Sequence, residues 1–226
     1  KGTWHLFEGG RELTGTFASG DATLNGLRFP QLEGSLVWTR DRFEVFDASS
    51  GFYGGTLDFD YAMKPLGQKR PGQATFDTIY RDVGLVELLD ELQIDGVRPQ
   101  GLATGRSVLR WPLGGFDLLN GEGQLSVAPV PDVRLMTETG LSRGPARPGS
   151  YAAVPFNGEV GPWYVPVGGS VSYTVGPEWI EIEPSRLATP YTEIEFHGRT
   201  ADGGDSHIPF QMNSADWQES DRLMAA

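Results

Sequence analysis

Residues 34–60, GSLVWTRDRFEVFDASSGFYGGTLDFD, and residues 169–198, GSVSYTVGPEWIEIEPSRLATPYTEIEFHG, carry one pattern twice. Gly-Ser opens an alternating apolar run in each, Leu36 and Trp38 in the first and Val171 and Tyr173 in the second. A polar turn follows, then a second alternating run: Phe43 and Val45, or Trp179, Ile180 and Ile182. A small, polar corner leads into a third, with Leu57 and Phe59 matched by Ile194 and Phe196. Period-2 alternation is the mark of a half-buried strand, and a three-strand unit used twice predicts a stack of similar units with an extended surface.

The rest of the chain fits this reading. Its 31 glycines and 16 prolines interrupt nearly every apolar run, and alternation dominates between them. Leu13–Leu27 reads as two short strands about an Asn25-Gly26 turn. Ala74–Ile79, Gly101–Trp111, Gly121–Val127 and His207–Met212 read as further strands, with a hairpin tip at Asp202–Asp205. The period changes over Asp82–Leu92, where Val83, Val86, Leu89 and Leu92 recur at helical spacing, so a short helix capped by Asp82 is expected. A second helix is expected over Ser214–Leu223, with Asp216 and Glu219 as a capping box.

The expected fold is mainly β: a curved antiparallel sheet built from two repeated strand modules, a trough or β-taco, with two short helices. Residues 1–128 form the first module and 167–226 the second. Between them, 129–166 is a Pro/Gly-rich loop or insertion, with one or two short strands near Tyr151–Val160. In this scheme Phe43, Val45, Leu57, Phe59, Ile180, Ile182, Ile194 and Phe196 share one side. Glu44, Asp58, Asp60, Glu181, Glu183, Glu193 and Glu195 share the other. Alternation alone permits either a closed sandwich with that apolar side as its core, or an open sheet with it as a groove.

Composition narrows the function. A net charge of −12 over 226 residues repels phosphate backbones, and no basic stripe offsets it, so nucleic acid is not an expected partner. Without cysteine there is neither a disulfide framework nor a thiolate metal site. His5, His197 and His207 show no ligand spacing, and Asp202 with Asp205 falls far short of a calcium shell, so no metal or other cofactor is expected. No nucleophile elbow or phosphate-binding loop occurs. The pairs Asp58/Asp60, Glu181/Glu183 and Glu193/Glu195 have roughly the separation of glycosidase carboxylates, yet they alternate with apolar residues as a solvated sheet face does. The six tryptophans could stack on sugars, but most fall at strand positions suited to sheet packing. A non-catalytic role is the expectation. The opening at Lys1 and the close within a helical run at Leu223–Ala226 suggest a piece of a longer polypeptide.

Phe43–Leu57, with its Gly51-Phe52-Tyr53-Gly54-Gly55 corner, resembles the AsmA-like family, as does the order that follows it. That order is strand, short helix (Val83–Leu89), Gly101-Leu102-Ala103-Thr104-Gly105 and Gly121-Glu122-Gly123-Gln124-Leu125; Leu187–Gly198 and Ser214–Trp217 extend the likeness. The resemblance implies a segment of an AsmA/TamB-like protein of a diderm bacterium, periplasmic, with its parent anchored in the inner membrane by a helix outside this stretch. It implies an apolar trough that carries phospholipid acyl chains towards the outer membrane, or a part in outer-membrane biogenesis with outer-membrane assembly proteins as partners. The groove lining would then be Leu36, Trp38, Phe43, Val45, Leu57, Phe59, Val171, Tyr173, Ile180, Ile182, Ile194 and Phe196. The alternatives are a closed sandwich serving as a structural or adhesion module and a carbohydrate-binding protein.

Overall fold

The computed structural model describes residues 1–7, 10–24, 27–67, 71–91, 97–136, 163–201 and 207–225. These contain thirteen strands and two α-helices. The first eight strands are β1 (Gly2–Phe7), β2 (Gly10–Leu24), β3 (Leu27–Trp38), β4 (Phe43–Phe52), β5 (Gly55–Lys64), β6 (Gln73–Gly84), β7 (Val97–Pro112) and β8 (Asn120–Pro129). The remaining five are β9 (Trp163–Pro166), β10 (Gly168–Gly176), β11 (Trp179–Ala188), β12 (Thr192–Ala201) and β13 (Phe210–Ser214). Helix α1 spans Leu85–Glu91 and α2 spans Trp217–Ala225.

Each strand pairs antiparallel with the next in sequence from β1 to β8 and again from β10 to β13. β8 pairs β10, so the first half of the chain runs into the second as one sheet. The short β9 lies apart from this path, parallel to the first four residues of β7. The sheet is curved and does not close: β1 and β13 are its two ends. Bulges on β4, β6 and β11 bend it. Two of the bend residues, Asp47 and Asp82, have positive φ (49° and 53°), the left-handed conformation that Asp tolerates better than most side chains.

The repeated pattern is also a structural repeat. β3–β4–β5 and β10–β11–β12 are both three-strand meanders, and in each the middle strand bulges after its second apolar residue, between Val45 and Ala48 or between Ile182 and Ser185. Across from the bulge, Phe59 faces Ala48 and Phe196 faces Ser185. The first strands correspond differently from their sequence order. A four-residue turn joins β3 to β4 and a two-residue turn joins β10 to β11, so Leu36, opposite Val45, matches Tyr173, opposite Ile182. The slip is two residues, and a slip of two keeps every side chain on its own face.

Several boundaries differ from the sequence reading. Asp82 does not cap a helix; β6 continues through it to Gly84, and its N–H donates to Thr104 Oγ1 at 3.1 Å. At α2, Asp216 Oδ1 accepts from the Gln218 N–H at 2.9 Å, but Glu219 bonds Thr189 Oγ1 on the β11–β12 turn instead of closing a capping box. The strand expected over 207–212 begins later, at Phe210, with His207 in an isolated bridge to Arg199. The Asn25-Gly26 turn, the hairpin tip at 202–205 and the strands expected near 151–160 lie outside the described residues.

Candidate functional site: one apolar face

Directly opposed residues in an antiparallel ladder share a face, so the register sorts every side chain. One row across the strands runs Leu36, Val45, Tyr61, Phe76, Leu109, Gly121, Val175 and Ile180. The next runs Ala48, Phe59, Thr78, Ser107, Gly123, Tyr173 and Ile182. Beyond it lie Leu57, Tyr80, Gly105, Leu125 and Val171, and after the β11 bulge Phe196 with Phe210. Val83, Ala103, Val127, Gly169, Leu187 and Ile194 follow, and Trp38, Phe43, Met63, Ala74 and Trp111 border the opposite side. The twelve residues named from the sequence all fall on this face.

Large and small side chains are fitted along the rows. A Cβ on Gly34 would lie 2.8 Å from Phe17 Cζ, and one on Gly123 would lie 2.3 Å from Tyr173 Cζ, so each glycine leaves room for the ring over it. The face carries a side-chain hydroxyl cluster drawn from neighbouring strands near its middle. Thr78 Oγ1 and Ser107 Oγ lie 3.0 Å apart, and Ser107 Oγ donates to the Tyr80 hydroxyl at 3.0 Å. Tyr173, bonded to the same serine, has its phenol pushed up by burial.

Among the described residues, cover lies over one side of the face. Phe52, Leu57, Val83, Ala103 and Val127 are buried. They are covered by Leu85 and Leu88 of α1 and by Val167, the residue joining β9 to β10. Two ion pairs fasten α1 there, Arg98–Asp90 at 2.8 Å and Arg28–Glu91 at 2.9 Å. At the other ends of the strands Trp38 is 49% exposed and Ile180 41%, and Phe116, which packs edge-on against Trp111, is 60% exposed. Between the two rims most of the row residues are half-buried. Trp38, Phe43, Tyr61, Phe76, Trp111 and Phe116 form a chain of ring contacts with centroids 5.2–6.3 Å apart along the exposed rim.

The carboxylates stand on the opposite face, engaged in cross-strand contacts. Arg81 binds Asp58, and Asp60 accepts the Asp47 N–H at 3.0 Å. Arg186 reaches both Glu193 and Glu195, while Glu44 takes Lys64 at 2.9 Å and Arg42 at 3.4 Å. Arg106 grips Asp77 through two hydrogen bonds, and this holds the Asp77 carboxyl below its ordinary range. Asp58, Asp60, Glu193 and Glu195 are thereby ties between neighbouring strands. Among the described residues no three His, Asp or Glu side chains are grouped to hold a metal ion. Trp179 lies on this outer face, with the Arg199 guanidinium 4.1 Å from its ring centroid.

What the sequence reading missed is α1 as a cover. The apolar spacing of the helix is visible in the sequence, but which part of a long sheet it closes depends on the bulge at Asp82 that aims it. No helix among the described residues is long and apolar enough to cross a membrane. No known protein family, curated protein or solved structure matches this chain.

Proposed function

We propose that this chain is a non-catalytic lipid-handling segment of a larger cell-envelope protein, whose apolar β-trough receives phospholipid acyl chains. The observation that carries the reading is the single apolar face, continuous over the strands from β3 to β12, with no described element covering one of its rims. Hydrocarbon binding needs no directional contacts. Each CH₂ withdrawn from water contributes about 0.8 kcal/mol, so a lining of Phe, Ile, Val and Leu side chains is sufficient. Residues such as Trp38 and Ile180, left exposed in the folded chain, gain burial only when something apolar lies on them.

The AsmA/TamB-like resemblance adds the setting: the periplasm of a diderm bacterium, with traffic between inner and outer membranes. A closed structural or adhesive sandwich has less support, because its inner side chains would interlock in a dry layer about 10 Å thick. The test is direct. Protein purified without detergent is extracted with organic solvent, and the extract is analysed by mass spectrometry. Phospholipid at a fixed ratio to protein is the expected result. An extract without lipid, from protein that then fails to take lipid from vesicles, contradicts the proposal.

A further inference from the structure

β1 ends the sheet with one side of its backbone unpaired, and we infer that this edge binds the same edge of a second copy of the chain, antiparallel and centred on Trp4. The inference stands apart from the lipid reading. The Thr16 N–H donates to the Lys1 carbonyl at 2.8 Å, which makes Lys1 and Thr16 a hydrogen-bonded pair beside the β1–β2 ladder. Such pairs alternate along antiparallel strands, so Thr3 and His5 also bond to β2. Gly2, Trp4 and Leu6 turn their N–H and C=O groups outward, where no described strand receives them.

The outward set is its own complement. A two-fold that opposes Trp4 to Trp4 of the second copy also opposes Gly2 to Leu6, so every outward residue enters a hydrogen-bonded pair and about six ladder bonds form. Gly2 and Trp4 oppose Gly15 and Leu13, which oppose Leu36 and Trp38, so Gly2, Trp4 and Leu6 lie on the apolar face. Opposed residues share a face, and the apolar faces of the two copies therefore join on one side. Trp4 is 48% exposed and Leu6 77%, the largest fraction for any large apolar side chain among the described residues. In this register Leu6 lies over Gly2 of the second copy, the fit of large to small found along the rows. Gly2–Phe7 also contains no Lys or Pro, the residues that commonly discourage pairing at an edge. At the other end β13 is only five residues long, follows Pro209 and leads into α2. A contact of two single strands falls below the ~1,200 Å² of standard interfaces, so the dimer is weak and concentration-dependent.

The test is sedimentation velocity of the full chain over a concentration series, with cysteine crosslinking to fix the register. A dimer fraction that grows with concentration is expected. Leu6→Pro removes an N–H that β2 does not use, so β1 keeps its place while association weakens about tenfold or more. The sequence has no cysteine, so a single introduced thiol reports only contact between copies. Trp4→Cys should bridge to its own image, because hydrogen-bonded pairs hold their Cα atoms about 5.5 Å apart, a span that suits a disulfide. His5→Cys should not, because the two-fold sets position 5 opposite position 3. Bridging at position 4 and none at position 5 supports the inference even if Leu6→Pro fails to fold. A chain that stays monomeric at about 1 mM overturns it. Dimers unaffected by Leu6→Pro in folded protein, or equal bridging at the two positions, overturn it as well.

Discussion

A Cβ built on Gly105 would lie 2.1 Å from the Gln124 carbonyl oxygen, an atom of the β7–β8 ladder that cannot retreat without breaking the pairing. Nothing lies within 4 Å of the same atom on Gly20. Gly105→Ala should therefore cost about 1–3 kcal/mol by overpacking. Gly20→Ala should be neutral or add about 0.4–1 kcal/mol by restricting the unfolded chain. Urea denaturation of the two variants checks the contrast. At Asp77 the Arg106 hydrogen bonds depress the carboxyl pKa, so its stabilisation is complete above the ordinary carboxylate range and is lost as pH falls through the lowered value. Asp77→Asn should remove at most about 1 kcal/mol near neutrality, since the pair is partly exposed, and should flatten the acid limb of thermal stability against pH. The sequence reading places Asp77 within a strand and no more; its partner is set by the β6–β7 register, which no local signal announces.

At the scale of elements the alternating strands were legible because each has one wet and one dry face, and Phe59 or Ile194 betrays its face by its neighbours' polarity. The bulges were not. Asp47 reads as an ordinary polar residue in Phe43–Phe52, yet the extra residue there brings both Val45 and Ala48 onto the apolar face. Deleting Asp47 should drive one side of β4 into the wrong phase, turning either Phe43 and Val45 or Ala48, Ser50 and Phe52 outward. A loss of several kcal/mol is expected, with buried side chains such as Phe52 exposed. Thermal melting beside Gly20→Ala as a tolerated control measures it. The helix over 82–92 was misplaced at its start for the same reason: a positive-φ bulge at Asp82 prolongs β6 where a cap was expected. β9 escaped notice because four residues, two of them Trp and Pro, carry too little alternation to read, and its parallel partner is distant in sequence.

Over the whole molecule, the decision between a closed sandwich and an open trough lay beyond the sequence, since both need the same alternating strands. It depends on what covers the apolar face: α1 and the β9–β10 junction along one rim, and no described element over Trp38 and Ile180 along the other. Phe59→Arg and Phe196→Arg each place a charge among apolar rows, and each should abolish lipid uptake from vesicles while circular dichroism confirms that the sheet persists. The most direct measurement is site-specific photocrosslinking to phospholipid vesicles, with a photoreactive side chain at Phe59 on the apolar face or at Asp58 next to it on the charged face. Acyl-chain adducts at position 59 and none at position 58 are the predicted result. Equal labelling at the two positions, or none at 59 in folded protein, would contradict a lipid-bearing face.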